Sequence, residues 1–377
     1  MRILIAPDKF KGSLNGPEVA AAIALGLTAH DSGHETIQLP VADGGEGTAQ
    51  ALQSAMDGRW ITTPVRGPLG QPVNADWCLG TDSSGRTVAA LDMSSASGIA
   101  LLDPAERDPW RASTWGTGEL IAAAMAHQPD RIVVGVGGSA TCDGGSGMAT
   151  ALGFHFLDSA GTELEVPAGL DQLSRIVAPD QDWPDLLVAC DVNNPLLGDL
   201  GAIRVYGPQK GVAPDQLEHF ESRLEQLARC VERDLRRDCA DLPGAGAAGG
   251  LGYGLAAFCG ARLESGFKLV AEAVDLAAAI SRADLVIAAE GRLDRQSLMG
   301  KAPGGVANLA RQAGVPAVAF CGSVVAEDLE ALRAHFDLIV PLVDEITTLE
   351  EALAEPARLL EQKAATITQR LVALARG

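Results

Sequence analysis

Six carboxylates stand where a strand-like run ends or a glycine-rich loop lies in the sequence: Asp43, Glu46, Asp143, Asp191, Glu290 and Asp294. Asp and Glu in such places can hold Mg²⁺ through one or two oxygens, with substrate phosphates completing the octahedron. Each could instead cap a helix or turn, which fits at least Asp43 or Asp143. Asp191 is harder to explain as a cap, because it follows a buried strand and precedes two asparagines. We expect Asp191 and Asp143 to bind a metal.

Lysine is scarce and unevenly placed. Only six of the 29 basic residues are lysines: Lys9, Lys11, Lys210, Lys268, Lys301 and Lys363. The first five lie within or beside glycine-rich or turn-rich stretches. Codon bias with chance placement would give the same count, but the positions favour point charges placed for an anionic ligand.

Three glycine-rich stretches, 43–48, 137–147 and 244–254, could bind phosphate. A glycine-rich loop before a helix directs backbone N–H groups outward at the positive end of the helix dipole. None contains the G-x-x-x-x-G-K-[ST] pattern. The residues predicted to bind the phosphates are Gly44, Gly45, Gly137, Gly138, Ser139, Gly144, Gly145, Lys210, Gly249 and Gly250.

Histidine chemistry receives little support. The six His lie outside these loops, and H-E-x-x-H does not occur. What remains is a set of lysines, Mg²⁺, backbone N–H groups and a carboxylate that accepts a proton. That set suits phosphoryl transfer, which needs positioning and charge stabilisation more than covalent chemistry.

The stretch 284–303 combines these features. An apolar run, 285–289, reads as a buried parallel strand, and Gly291 is expected to allow a sharp turn. Lys301 precedes a helix, so its charge and the helix dipole could act together on a transferring phosphoryl group. Asp294 could accept the substrate proton, with Asp191 as its rival. A surface ion pair of Asp294 with Arg295 or Lys301 is the structural alternative.

A nicotinamide-dependent oxidoreductase is a second hypothesis. Residues 244–249 fit G-x-G-x-x-G, but Pro243 and a charged helix precede them rather than a strand. Residues 135–140 do follow a strand, yet Cys142-Asp-Gly-Gly145 delays the helix that should begin at once. A third hypothesis is a non-catalytic sugar-acid binding protein, which would need a periplasmic signal.

The elements that position these residues follow two patterns. Both ends of the chain alternate strand and helix with short loops, which predicts a doubly wound parallel sheet. Residues 61–65, 73–79 and 87–93 alternate apolar and polar residues and predict antiparallel strands. We predict an α/β fold in which a discontinuous Rossmann-like domain (1–60 and 280–377) holds an inserted α/β domain with antiparallel strands (61–279). The strand 131–136 could belong to either domain.

Composition limits the partners. The 377 residues carry a formal charge of −20, which disfavours nucleic acid and anionic membranes. Seven Cys without a C-x-x-C pair fit reduced thiols, and the first residues lead straight into a strand rather than a signal peptide. We expect a cytoplasmic protein.

Several stretches resemble the bacterial glycerate kinase family, type 1. The matching stretches are Ile5-Ala-Pro-Asp-Lys-Phe-Lys-Gly-Ser-Leu14, Asp43-Gly-Gly-Glu-Gly-Thr48, Gly137-Gly-Ser-Ala-Thr-Cys-Asp-Gly-Gly-Ser-Gly-Met148, Ala189-Cys-Asp-Val-Asn-Asn-Pro-Leu196, Gly207-Pro-Gln-Lys-Gly211, Gly244-Ala-Gly-Ala-Ala-Gly-Gly-Leu-Gly252 and Glu290-Gly-Arg-Leu-Asp-Arg-Gln-Ser297 with Gly300-Lys301. One departure is Cys142, where the family more often has Asn. The resemblance implies an interrupted Rossmann-like fold and ATP-dependent phosphorylation of D-glycerate, usually at the 2-hydroxyl.

On that resemblance we expect ATP and Mg²⁺ as cofactors, D-glycerate as substrate, and an active site in the cleft between the two domains. Asp8, Lys9, Lys11 and Arg292 are the predicted substrate-binding residues, since the glycerate carboxylate needs a cation. Asp191, Asp294 and Lys301 are the predicted catalytic residues. A 3-kinase remains the alternative, and the protein is expected to be a monomer or a homodimer.

Overall fold

The structure, a computed structural model, describes residues 1–375 except positions 11, 30–32, 43–44, 46, 83 and 299–300. The strands of the described residues are β1 (Arg2–Pro7), β2 (Glu35–Gln38), β3 (Arg59–Arg66), β4 (Pro72–Thr81), β5 (Thr87–Asp92), β6 (Arg131–Gly135), β7 (His155–Leu157), β8 (Arg175–Val177), β9 (Asp185–Ala189), β10 (Arg262–Glu264), β11 (Leu285–Leu293), β12 (Ala317–Val324) and β13 (Leu338–Pro341).

The α-helices of the same residues are α1 (Gly16–Thr28), α2 (Thr48–Met56), α3 (Ser94–Ser97), α4 (Trp115–Met125), α5 (Ser146–Ala151), α6 (Ala202–Tyr206), α7 (Leu217–Leu235), α8 (Ala247–Cys259), α9 (Gly266–Ala273), α10 (Leu276–Ser281), α11 (Ala302–Ala313), α12 (Leu329–Arg333), α13 (Leu349–Ala354) and α14 (Pro356–Leu374). Together they form two compact units, Met1–Asp43 with Phe267–Gly377 and Gly44–Gly266.

The first unit contains one parallel five-stranded sheet in the order β13-β12-β11-β1-β2. Both ends of the chain therefore supply strands to the same sheet, which confirms the prediction of a discontinuous Rossmann-like domain. Counted within this unit, the order is 2-1-3-4-5, one of the two common doubly wound arrangements. In that arrangement the strand order reverses between β1 and β11, and ligands bind beyond the carboxyl ends of the strands at such a point.

Local sequence explains how α1 lies on this sheet. Asn15 accepts a hydrogen bond from the Glu18 N–H at 2.9 Å and the Glu18 side chain accepts from the Asn15 N–H at 2.9 Å, which together form a capping box. The buried face carries Val19, Ile23 and Leu27. Gly26 lets α14 approach, because a Cβ there would lie 2.2 Å from the Glu361 carbonyl oxygen.

The second unit contains a mixed six-stranded sheet in the order β10-β9-β6-β5-β4-β3. The strands from β10 to β5 are parallel, whereas β5-β4-β3 form the predicted antiparallel strands. The strand beginning at Arg131, which the sequence left between two domains, lies inside this sheet as β6. The inserted α/β domain with antiparallel strands is thereby confirmed.

The compact units begin and end earlier in the chain than the predicted domains, at 43/44 rather than 60/61 and at 266/267 rather than 279/280. Helix α2 accounts for the first difference because it packs on β4 and β5. The thiol of Cys78 in β4 also donates to the Ala49 carbonyl oxygen.

Two local features bound the C-terminal helices. Thr348 and Glu351 form the capping box of α13. Pro356 begins α14, where its missing N–H removes no intrahelical bond. Among the described residues, no helix is long and apolar enough to cross a membrane.

Candidate functional site

The reversal point of the first sheet brings two predicted segments together. The Asp8 N–H donates to the Ala289 carbonyl oxygen at 2.8 Å, so the end of β1 lies directly beside β11. Asp8 is buried, and its carboxylate accepts from the Lys9 N–H at 2.7 Å. The predicted substrate residues Asp8 and Lys9 therefore lie where a doubly wound sheet binds ligands.

Strand β11 continues through Glu290 and Gly291 as far as Leu293, so the sharp turn predicted at Gly291 is wrong. A Cβ on Gly322 of β12 would lie 2.4 Å from the Gly291 carbonyl oxygen, so the two strands run unusually near each other here. The extension carries Glu290 to the ligand edge of the sheet.

Glu290, Ser297 and Lys301 form a cluster at that edge. The hydroxyl of the fully buried Ser297 donates to Glu290 Oε2 at 2.7 Å. Lys301 Nζ lies 3.7 Å from Glu290 Oε1, and the two side chains are 34% and 13% exposed. Lys301 is also the N-cap residue of α11. Its ammonium group is thus held near the positive end of a helix dipole, where anions bind.

Asp294 forms neither of the two ion pairs that the sequence suggested. Its Oδ1 accepts from the N–H groups of Gln296 at 2.9 Å and Ser297 at 3.1 Å, which caps a short 3₁₀ turn. Arg295 pairs with Asp328 instead. The anticipated pairing of Asp294 with Arg295 or Lys301 is therefore not the observed one, and Glu290 takes that place beside Lys301.

The structure says less about Arg292 and Lys11, the other two residues predicted to bind substrate. Arg292 is exposed on β11, two residues beyond Glu290. Lys11, the predicted phosphate residue Gly44, and the carboxylates Asp43 and Glu46 lie outside the described residues.

The second unit has a ligand edge of its own. Because β5, β6, β9 and β10 are parallel neighbours, their carboxyl ends share one edge of the sheet. Asp92, Gly137 and Asp191 follow or end three of these strands. Asp92 accepts from the N–H groups of Gly47 at 2.9 Å and Ala49 at 3.3 Å, so it fixes the first turn of α2.

Residues 137 and 138 form the accessible part of the second glycine-rich loop, and the buried Ser139 follows them. Gly138 is exposed with φ of 72°, and Gly137 is half-buried. Lys210 is buried, and its Nζ donates to Ser139 Oγ at 2.6 Å and to the Thr141 carbonyl oxygen at 2.8 Å. Burial lowers the pKa of Lys210. Since Ser139 Oγ accepts from Lys210, the O–H of Ser139 can donate to a ligand. The positive charge of Lys210 would then act on the ligand through the Ser139 hydroxyl.

Asp143 is wholly buried and surrounded by donors. Oδ2 accepts from the Thr114 N–H at 2.8 Å, the Thr114 hydroxyl at 2.8 Å and the Gly147 N–H at 3.2 Å, while Oδ1 accepts from the Gly145 N–H at 3.2 Å. Burial raises the pKa of the Asp143 carboxyl, and these donors oppose the increase. The environment fits a loop anchor rather than the predicted metal ligand.

The third glycine-rich stretch packs against the second. The Gly144 N–H donates to the Gly249 carbonyl oxygen at 3.1 Å. A Cβ on Gly249 would lie 1.9 Å from the Thr141 carbonyl oxygen, and one on Gly250 would lie 2.8 Å from Gly144 Cα. All of these glycines are buried, as is Gly145. Close backbone packing explains the glycines here, contrary to the expectation that Gly144, Gly145, Gly249 and Gly250 face phosphate or a dinucleotide.

Asp191 is better placed than Asp143 to bind a ligand at this edge of the sheet. It is half-buried two residues after β9, and its Oδ1 accepts from Ser265 Oγ at 2.8 Å and from the Gly266 N–H at 3.0 Å. Within the described part of the chain, no three His, Cys, Asp or Glu side chains gather as a metal site. A single carboxylate such as Asp191 is still compatible with Mg²⁺, which is commonly bound through one or two carboxylates and substrate phosphates.

The sequence analysis assigned no site role to three residues, Thr114, Asp92 and Glu290. Thr114 and Asp92 act through contacts across long sequence separations, and no local pattern announces them. Glu290 was recognised as a carboxylate at a strand end but not assigned a site role. Its position seven residues before Ser297, and eleven before the N-cap Lys301, was the available signal.

Comparison with known proteins identifies the family of the chain. The sequence profile of the glycerate kinase family matches residues 3–372. The chain is 43% identical over 373 residues to a glycerate kinase of Bacillus subtilis, covering 97% of each chain, and 42% identical over 359 residues to a glycerate 2-kinase of Escherichia coli, covering 93% of each. A crystal structure described as a glycerate kinase 2 from Salmonella typhimurium LT2 superposes with a TM-score of 0.84 at 41% identity, covering 99% of this chain and 98% of the other.

Proposed function

The chain belongs to the glycerate kinase family, and on that premise we propose that it phosphorylates D-glycerate at the 2-hydroxyl with ATP. The observation that carries the proposal is the cluster at the reversal point of the first sheet, where Glu290 holds Lys301 at the N-terminus of α11. A lysine and a helix N-terminus together favour the negative charge of a phosphoryl group.

In the proposed reaction the substrate hydroxyl oxygen forms a bond to the γ-phosphorus of ATP while the bond from that phosphorus to the bridging oxygen breaks. ADP leaves, and the hydroxyl proton passes to a carboxylate. Asp294 and Asp191 are the two candidates for that base, as the sequence predicted. Lys301 Nζ stabilises the charge on the transferring group, an effect that is usually large when the donor is held in place beforehand.

Substrate binding is proposed for Asp8, Lys9, Lys11 and Arg292. Lys9 follows β1 and supplies a cation for the glycerate carboxylate, and the buried Asp8 holds the Lys9 N–H. For the nucleotide phosphates, the accessible Gly137 and Gly138, with the buried Ser139 beside them, are better placed than the buried glycines of the same loop. Gly44 and Gly45 stay predictions for the phosphates.

Mg²⁺ would be held by Asp191, and when bound it would neutralise phosphate charge. The prediction that both units contribute residues to one active site stays a prediction. So does the choice between a monomer and a homodimer. All seven cysteines are free thiols, and burial raises the pKa of each of these thiols. Unlinked thiols support a cytoplasmic location.

One experiment tests the proposal. The enzyme is incubated with Mg-ATP and D-glycerate, and the product is identified by ³¹P NMR, with L-glycerate as the control substrate. We expect 2-phosphoglycerate from the D enantiomer. Formation of 3-phosphoglycerate would establish the 3-kinase alternative, and absence of any phosphorylated product would refute the proposal.

A further inference from the structure

Two short turns lie side by side beyond the ends of neighbouring strands in the first unit. Strand β11 is followed by a 3₁₀ turn, Arg295–Leu298, and β12 is followed by another, Ala326–Asp328. The Val325 N–H donates to the Leu293 carbonyl oxygen at 3.0 Å, so the pairing of the two backbones reaches the start of both turns. Asp294, one of the two candidate bases, stands at the start of the turn after β11. The turn after β12 is therefore its immediate neighbour.

Two carboxylates accept the N–H groups at the start of the turn after β11. Such groups have no helical acceptor of their own at the beginning of a helix and need one from elsewhere. Asp294 Oδ1 accepts from the Gln296 N–H at 2.9 Å and from the Ser297 N–H at 3.1 Å. The Arg295 N–H is the remaining donor, and it donates to Asp328 Oδ2 at 2.9 Å. Asp328 thus completes the hydrogen bonding of the turn that Asp294 begins.

Asp328 does not take the local role that its position offers. It is the N-cap residue of α12, where an Asp side chain commonly accepts from the N–H groups of its own helix. Its side chain makes no such capping bond. Instead, its Oδ1 lies 3.7 Å from Arg295 Nε, and the Arg295 and Asp328 side chains are 67% and 22% exposed. Both oxygens of the carboxylate therefore contact Arg295 rather than α12.

Of the two contacts with Arg295, the backbone bond is the one that fixes the turn. An ion pair this exposed contributes little, because water screens it and a long side chain must be ordered to form it. The N–H bond is shorter, its acceptor is charged, and it does not depend on the conformation of the arginine side chain. The type of side chain at position 295 should therefore matter little, whereas the carboxylate of Asp328 should matter.

The position of the turn also sets the position of the Lys301 cluster. The Asp294 N–H donates to Ser297 Oγ at 3.2 Å, and the Ser297 hydroxyl donates to Glu290, which lies beside Lys301. Helix α11 packs closely on the same turn, since a Cβ on Gly304 would lie 2.5 Å from the Ser297 carbonyl oxygen. A shift of the turn would therefore move Asp294 and the N-terminus of α11 together.

Asp294 keeps one oxygen for chemistry. Its Oδ1 is fixed by the turn, whereas its Oδ2 makes no hydrogen bond with any residue that the structure describes. The residue is half-buried. A general base must lie within hydrogen-bond reach of the proton that it accepts. The direction of Asp294 Oδ2 follows from the orientation of the turn, which Asp328 holds from the next strand.

We propose that Asp328 is a positioning residue for phosphoryl transfer. Through the Arg295 N–H it holds the turn after β11, and so it fixes Asp294 and the N-terminus of α11 for the reaction. The catalytic part of this inference rests on the proposed function. The holding of the turn does not, because it can be measured without any substrate.

The test combines steady-state kinetics with Mg-ATP and D-glycerate and amide hydrogen exchange of the full chain. In Asp328→Ala, kcat should fall about ten- to a hundredfold, since a misplacement of about 1 Å can cost that much. KM for both substrates should stay within about twofold, because the change acts on the chemical step. The amides of residues 295–297 should exchange faster. Asp328→Asn retains an acceptor oxygen and should lose only about threefold in kcat.

Two further variants separate the backbone bond from surface charge. Arg295→Gln removes the ion pair but keeps the N–H, and kcat should stay within about twofold of the wild-type value. Glu327→Ala, an exposed acid in the same turn as Asp328, is the matched control and should change neither kcat nor exchange. Unchanged exchange across β11 shows that a variant has folded. Where Asp328→Ala fails that check, Asp328→Asn decides by its kcat.

Wild-type kcat in the folded Asp328 variant overturns the inference, and so does an equal loss in Arg295→Gln. A rise in KM without a fall in kcat also overturns it, because a misplaced base slows the chemical step. These results leave the proposed function standing as long as the wild type makes phosphoglycerate. If the wild type makes none, the proposed function fails. Exchange at residues 295–297 in Asp328→Ala then still decides whether Asp328 holds the turn.

Discussion

Replacing Asp143 by Asn tests whether this carboxylate anchors a loop or holds a metal. The carboxylate accepts four hydrogen bonds in a site closed to solvent. If the Asn oxygen takes the position of Oδ2, its NH₂ group faces the Gly145 N–H and leaves that buried donor unsatisfied. An unsatisfied buried donor costs about 1–3 kcal/mol.

The other three bonds survive in Asp143→Asn but lose their charge assistance. A hydrogen bond to a charged group contributes about 1.5–3 kcal/mol, against about 0.5–1.5 kcal/mol for a neutral one. Removing a buried charge offsets part of that loss. The free energy of unfolding of the second unit should therefore fall by about 2–4 kcal/mol, which is at the severe end for a single substitution.

Tryptophan fluorescence during urea unfolding measures this unit alone. All five tryptophans belong to Gly44–Gly266: Trp60, Trp77, Trp110, Trp115 and Trp183. The midpoint should fall by about 1 M urea in Asp143→Asn, since slopes of a few kcal/mol/M are usual for units of this size. Asp238→Asn, an exposed acid of the same unit, should shift little. Unchanged stability of Asp143→Asn with a raised Mg²⁺ requirement would refute the anchor and restore the metal ligand.

Three further changes test the other candidate residues. Lys301→Ala should lower kcat about 10²–10³-fold with little change in Tm, and Glu290→Gln, which retains an acceptor for Ser297, should lower kcat about tenfold. Asp191→Asn should raise the Mg²⁺ concentration needed for half-maximal activity, measured at saturating ATP, because it removes a charged oxygen ligand. In the β4–β5 turn, burial opposes the shift, but hydrogen bonds from Ser84 and Arg86 lower the pKa of Asp82 to about 2. Its stabilisation is complete above the ordinary Asp pKa and is lost as pH falls toward about 2, so the urea midpoint should fall more steeply in acid for the wild type than for Asp82→Asn.

The controls use residues of the same kind in the same unit. Lys363→Ala removes a lysine that pairs with Asp344 on the first unit, and kcat should stay near the wild-type value. Near-wild-type turnover in both Lys301→Ala and Glu290→Gln would move the chemistry away from that cluster. A normal Mg²⁺ response in Asp191→Asn would exclude the carboxylate as ligand, and parallel acid profiles would exclude the Asp82 contribution.

The sequence predicted the fold well because its signals are local. The capping box at Asn15 and Glu18, the apolar strand runs and the alternating residues from 61 to 93 each specify a segment through neighbouring residues. The order of these segments then leaves few topologies, since parallel strands need crossover connections. The parallel sheet shared by both chain ends followed from that reasoning, whereas the position of β6 in the second sheet did not.

The candidate site was less predictable because its contacts are distant in sequence. A glycine required by a phosphate and a glycine required by another backbone look alike, so Gly249 read as a ligand residue although it packs on Thr141. Lys210 read as a phosphate cation, whereas its ammonium binds Ser139 across 71 residues. The sequence therefore placed Lys210 correctly beside a glycine-rich loop. It did not predict that the ammonium group binds Ser139 rather than a ligand.

The division of one sheet between both chain ends bears on how the protein is made. On a ribosome, β1 emerges first, but its neighbour β11 begins only at Leu285. At about 5–20 residues per second, roughly 15 to 55 s separate the two. During that interval the second unit can already form, while the apolar strand β1 and the Val19, Ile23 and Leu27 face of α1 lack the strands that cover them. Nascent chains of this protein should therefore depend on chaperone binding near their N-terminus until translation passes β12.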